Sequence, residues 1–209
     1  MISKPRLGRD SKEQIFKAAA AEFADRGYEA AGVDRIAAKA GVNKAMIYYH
    51  FGSKLGVYTE VLRDMFRAVG ARARALADGP GTPSEKMDAW IVAIVEESSA
   101  RPWFPPIMLR ELAAGIPHLD ADTFRLMQAV FAAVRDVLAQ GRQDGSFREV
   151  DPLLTHLTIM PTILVFFVRD NALAKRQSSP PPEPLGSLRT RDEFIRHVQL
   201  TVRGLLRKD

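Results

Sequence analysis

Cysteine is absent from the 209 residues, which removes disulfides, Cys-type zinc sites and iron–sulfur clusters and fits a reducing cytosol. The first ten residues, Met-Ile-Ser-Lys-Pro-Arg-Leu-Gly-Arg-Asp, hold no apolar stretch of the kind a signal peptide needs, so a cytoplasmic protein is expected. The longest apolar run, residues 153–168, is interrupted by His156 and Pro161. It reads as a buried helix, too short and too polar to span a membrane, and no membrane partner is expected. Catalytic signatures are also missing. There is no Gly-x-Ser-x-Gly, no His-Glu-x-x-His, no phosphate-cradling Gly-rich loop and no dinucleotide fingerprint. Neither an enzyme nor a cofactor is expected. His118, Asp120 and Asp122 stand close together, but aspartates there are more simply helix caps than metal ligands.

With 46% apolar residues the chain can bury a full core and suits one or two small domains. Charge is unevenly spread. Residues 1–76 carry 14 Lys and Arg against 8 Asp and Glu, whereas the remainder carries 16 against 17. A basic first third suits either a phosphate-bearing partner or a solvated tail.

Residues 32–51 decide between these. Val33, Ile36, Ala37 and Ala40 recur at i, i+3, i+4 and i+7, one apolar helical face. Gly41 supplies a left-handed stop, Val42 follows as a plug, and Asn43 is a strong N-cap for a second helix whose Ile47 and Phe51 face inward. Two short helices across a three-residue turn are the helix-turn-helix geometry, the second helix entering the major groove. Lys44, Ala45, Met46, Tyr48, Tyr49 and His50 then project outward or sideways. A Lys and Tyr hydroxyls suit phosphate oxygens, and Ala45, Met46 and Tyr49 suit bases or the groove surface. A buried αα-hairpin is disfavoured, because Tyr48, Tyr49 and His50 in succession cannot all face inward on one helix.

The motif and its flanks resemble the TetR family of bacterial transcription regulators. The resemblance rests on Ile15-Phe16-Lys17-Ala18-Ala19 with Phe23, on Arg26-Gly27-Tyr28, and on Phe51-Gly52-Ser53-Lys54, and covers about residues 9–69. It implies an all-α fold: a three-helix DNA-binding head with a helix-turn-helix at about 32–51, then a helical ligand-binding and dimerisation body over 84–207. It further implies DNA contacts from Gly32, Val33 and Lys54 beside residues 43–50. Two departures stand out. Ala31-Gly32 occupies the place of the usual Thr-Thr or Thr-Ser, so a phosphate contact there must come from backbone N–H groups. Ala45-Met46 replaces the common Gly-Thr, which removes a hydrogen-bonding residue from the reading helix.

The first ten residues read as a flexible basic arm, with helix 1 at about Ser11–Arg26 capped by Ser11. Helix 4 starts near Ser53 and ends before the breaker cluster Asp78–Pro83. Five body helices follow at about 84–100, 104–115, 120–144, 151–175 and 190–207. Pro161 is expected to kink the fourth, and residues 178–186, rich in proline, read as an extended linker. The resemblance implies that the last two of these helices pair across a two-fold axis, their apolar positions including Leu157, Leu164, Val168, Phe194, Val198, Val202 and Leu205. Trp90, Ile94, Trp103, Phe104, Met108, Leu112, Phe124, Met127, Phe131, His156, Met160 and Phe166 are candidates to line a ligand pocket, although such residues also build plain cores. The expected partners are double-stranded operator DNA, a second copy of the chain and an unidentified, mostly apolar effector. Two alternatives stay open: a small-molecule-binding or catalytic helical domain with a vestigial head, and a DNA binder without ligand response.

Overall fold

The computed structural model describes residues 7–175 and 189–208. Nine helices and no strand occur among them: α1 (Leu7–Ala30), α2 (Val33–Ala40), α3 (Lys44–Phe51), α4 (Lys54–Asp78), α5 (Pro83–Ala100), α6 (Phe104–Ala113), α7 (Ala121–Gln143), α8 (Pro152–Lys175) and α9 (Arg191–Leu206). Residues 1–6 of the expected arm and the proline-rich segment lie outside the described residues.

Most boundaries follow from capping. Thr82 accepts from the Glu85 N–H while Glu85 reaches back to the Thr82 backbone, and Pro83 opens α5. Thr190 and Glu193 repeat that box on α9, and the Asp120 carboxylate accepts from the Thr123 N–H to start α7. The start of α1 differs from expectation. The helix begins at Leu7, and Ser11 is a buried interior residue whose hydroxyl meets His50 Nε2 at 2.9 Å instead of capping. Gly27, at φ 76°, interrupts α1 where the sequence predicts its end.

One hydrophobic core runs through the described residues, with α4 as its spine. The first half of α4 buries Val57, Val61 and Leu62 beside Ile15 and Phe23 of α1, Ile36 of α2 and Ile47 of α3. Its second half buries Phe66, Val69 and Ala73, and it packs most extensively on α7, which buries Val130, Val134 and Val137. Arg63 fastens the two helices, donating to Thr123 Oγ1 at 3.1 Å and to the Asp120 carboxylate.

The apolar run at 153–168 lies within the helix expected over about 151–175. α8 continues through Pro161 as one helix of 24 residues, and its stretch Pro152–Leu173 has the length and mean hydropathy, 1.5, that could cross a membrane by composition alone. In the fold it packs on α5, α6 and α7, burying Ile159, Ile163 and Leu164.

Candidate nucleic-acid interface and body cavity

The helix-turn-helix is built as its residue types dictate. Gly41 adopts the left-handed conformation (φ 66°, ψ 30°), and its N–H and that of Val42 bond the α2 carbonyls of Ala38 and Ala37. Asn43 Oδ1 accepts from the Ala45 N–H at 2.9 Å and starts α3. Ile36, Ala37 and Ile47 are buried, locking the two helices together. Gly32 precedes α2 with no side-chain cap, leaving the first N–H groups of that helix without a side-chain acceptor. Gly32 is half-buried and Val33 packs partly on the core.

The expected contact residues divide by position. Lys44, Ala45, Tyr48 and Tyr49 are exposed on α3, Tyr49 at 80%. Lys44 Nζ lies 2.9 Å from an Asp34 carboxylate oxygen, so the cation is held over the start of α2. Lys54 donates to the Glu29 carbonyl at 3.2 Å and sits over the Tyr28 ring at 4.5 Å. Met46 and His50 stand sideways, both half-buried. Met46 packs partly on the core, and His50 turns back to Ser11, because the helix period carries both positions toward α1.

A feature the sequence reading missed supports this head from within. The Glu22 side chain is fully buried and takes Lys39 Nζ at 2.6 Å, Arg35 Nε at 2.5 Å and Arg26 Nε at 3.3 Å. Burial pushes its carboxyl up, but the bonds from Lys39 and Arg35 outweigh this and hold it below the usual glutamate range. α2 is thereby tied to α1 by its cationic face, and Arg35 and Lys39 are committed to structure. Partner identity for Glu22 lies 13 and 17 residues on, beyond any local pattern.

A second buried carboxylate joins head to body. Glu111 of α6 accepts from Tyr58 Oη at 2.6 Å and pairs with His118 Nδ1 at 2.7 Å. The His118 ring lies tilted against Tyr28 with centroids 4.1 Å apart, and Tyr28 in turn carries Lys54. Burial and the Glu111 bond push the Tyr58 phenol far above its ordinary value, so it stays a donor. On the same helix, Arg110 donates to the Ala24 and Asp25 carbonyls at the end of α1's continuous stretch. Of His118 and the nearby acidic residues, Asp120 caps α7 as its type suggests, whereas His118 serves Glu111.

The other side of α6 faces a cavity of about 280 Å³ between α4, α6, α7 and α8. Eight expected residues line it: Phe104, Met108, Leu112, Phe124, Met127, Phe131, His156 and Met160. Four do not. Trp90 and Ile94 are buried in the core, Trp103 packs edge-on against Phe16, and Phe166 stacks on Phe194 at 3.9 Å. Phe66, Gln128, Val130, Leu153, Leu157, Pro161 and Leu164 complete the wall, although Leu157 and Leu164 were expected at the dimer face and Pro161 at a kink.

A helix-turn-helix with an exposed, partly cationic second helix, carried on a helical body with an apolar cavity, defines a DNA-binding regulator. Residues 15–61 match the family of bacterial regulatory proteins, tetR family, and residues 83–176 match the tetracyclin repressor-like C-terminal domain. The chain is 32% identical to the HTH-type transcriptional repressor KstR2 of Mycolicibacterium smegmatis over 166 residues, 78% of this chain and 79% of that one. Over 59 residues it is 52% identical to the HTH-type transcriptional activator FasR of the same species, 28% of this chain and 27% of that one. Its fold resembles the ketosteroid transcriptional regulator KstR2 of Mycobacterium tuberculosis, with TM-score 0.71, 24% identity and coverage of 100% and 98%. The chain belongs to the TetR family and is a transcriptional regulator.

Proposed function

We propose that the protein is a cytoplasmic homodimeric repressor that binds a pseudo-palindromic operator and leaves it when a small, mostly apolar effector occupies the body cavity. The observation that carries the DNA reading is α3, with Ile47 buried and Lys44, Ala45, Tyr48 and Tyr49 exposed on the opposite side. One helix of eight residues reads too few bases, and a two-fold axis doubles the site. Repression is favoured over activation by the relative matched along most of its length, which is named a repressor, whereas the activator FasR matches over the head alone.

The dimer face we assign differs in part from the residues expected from sequence. Leu164, Val198 and Val202 are buried within the monomer, and Phe194 is taken by Phe166. Leu157 of the expected set is exposed at 52%, and so are Leu154 at 64%, Val165 at 52% and Leu200 at 67% on α8 and α9. A second copy covering them meets the ordinary reason for such a patch.

Coupling runs through α6. Met108 and Leu112 line the cavity, while Arg110 and Glu111 hold α1 and α4. An effector that displaces α6 loosens both ties, and a coupling of about 1–3 kcal/mol changes operator affinity about five- to 150-fold. Fluorescence anisotropy with duplexes from the DNA flanking the protein's own gene tests the reading. Saturable binding of one duplex at least about a hundredfold tighter than a scrambled one supports it. Equal affinity for any duplex overturns it in favour of DNA coating, and no binding at all favours the vestigial-head alternative.

A further inference from the structure

The cavity's wall has one chemical irregularity. Its lining carries no charged side chain, and apart from Gln128 the only polar group is His156, projecting from α8. His156 Nδ1 is shut off from solvent and has no hydrogen-bond partner. Behind it the Trp90 indole N–H is equally unpartnered, its ring 6.1 Å from the imidazole, and the Phe131 ring stands edge-on at 5.5 Å. His156 as a residue is half-buried, but a ring nitrogen closed off without a partner is destabilising, and such a group persists where something else completes its bonding.

We propose, on the effector reading above, that the cavity takes an uncharged apolar ring compound bearing a single hydroxyl or carbonyl, which His156 holds by a hydrogen bond, and that it rejects carboxylates. Phenylalanine and methionine walls fit flat rings without demanding one shape. The volume of about 280 Å³ lies at the small end of ligand pockets. Rejection follows from charge. Burial drives His156 down to about 4, so the ring is neutral at neutral pH and supplies no counter-charge. No other lining residue supplies one either, and an unpaired carboxylate there loses its hydration for nothing. A neutral imidazole, by contrast, offers one donor and one acceptor, which matches a hydroxyl or a carbonyl equally.

The test is calorimetric titration of the full chain at pH 7.5 with three probes of one ring system: naphthalene, 2-naphthol and 2-naphthoate. The expected order is 2-naphthol tighter than naphthalene by about fivefold, the scale of one neutral hydrogen bond, with 2-naphthoate weakest. His156→Phe should bring 2-naphthol and naphthalene to within about twofold while naphthalene still binds, and His156→Gln should restore part of the preference. In the unmodified protein the ¹⁵N resonances of the His156 imidazole should move with 2-naphthol and stay with naphthalene, which decides the matter even if the variants fail to fold. If 2-naphthoate binds as tightly as 2-naphthol, or the imidazole resonances ignore 2-naphthol, the ligand class is wrong and the effector reading stands. If none of the three binds, the cavity is core packing space and the effector reading fails with it.

Discussion

Glu22 shows how a single buried carboxylate organises the head. It takes bonds from Lys39, Arg35 and Arg26, drawing two cations of α2 onto α1. Glu22→Gln should destabilise the protein by about 1–3 kcal/mol, because Arg35 and Lys39 are half-exposed and recover water when the charge is lost. Urea denaturation followed by circular dichroism measures it. The pH dependence has a definite sign. The folded carboxyl lies below the unfolded value, so its stabilisation is present above the unfolded pKa, about 4.3, and is lost as pH falls through the folded one. The wild-type urea midpoint should therefore drop more steeply than that of Glu22→Gln between about pH 5 and pH 3. On the exposed side of α3, Lys44→Ala should weaken all duplexes alike and lower the salt slope by about one. Tyr49→Ala, at the most exposed aromatic of α3, should instead change which operator variants are preferred. Anisotropy titrations at several salt concentrations separate the two, and a Lys44→Ala protein with altered base preference and unchanged slope would reverse the assignment.

At the scale of the element, α6 is the short helix with most at stake. Ten residues long, it places Met108 and Leu112 on the cavity and Arg110 and Glu111 on the head. Tyr58→Phe removes the hydroxyl donor to Glu111 while keeping the ring beside Phe23 and His118. It should leave operator affinity within about twofold and cost about 1 kcal/mol of stability, yet blunt release by any cavity ligand. Operator binding with and without a saturating cavity ligand reads this directly. Undiminished release in Tyr58→Phe would place the coupling along α4 and α7 instead, where Arg63 bridges to Asp120 and Thr123. The helix boundaries themselves were largely legible, because Asn43, Thr82, Asp120 and Thr190 cap where their neighbours in sequence allow. Ser11 was the exception: its type suits a cap, but a partner 39 residues away claims its hydroxyl.

At the scale of the whole molecule, the dimer we propose rests on apolar surface that one copy leaves uncovered. Leu154, Val165 and Leu200 stay exposed on α8 and α9. Leu154→Glu with Leu200→Glu should yield a monomer that has lost operator affinity by at least about a hundredfold while retaining its helix content. Sedimentation velocity with anisotropy on the same samples checks this, and a variant that remains dimeric would move the interface elsewhere. Sequence by itself determined the helix-turn-helix, since Gly41, Asn43 and the Val33–Ala40 face act within a few residues of one another, and local chemistry suffices there. It also determined the family and the stock of phenylalanine and methionine for a cavity. What only the tertiary structure decided was which apolar residue does what. Phe166 and Phe131 look alike along the chain, yet one stacks on Phe194 and the other walls the cavity. The same holds for the long-range polar ties of Glu22 and Glu111. Helical periodicity states which face of a helix is apolar, but the neighbour that covers that face is set by packing between elements far apart in sequence.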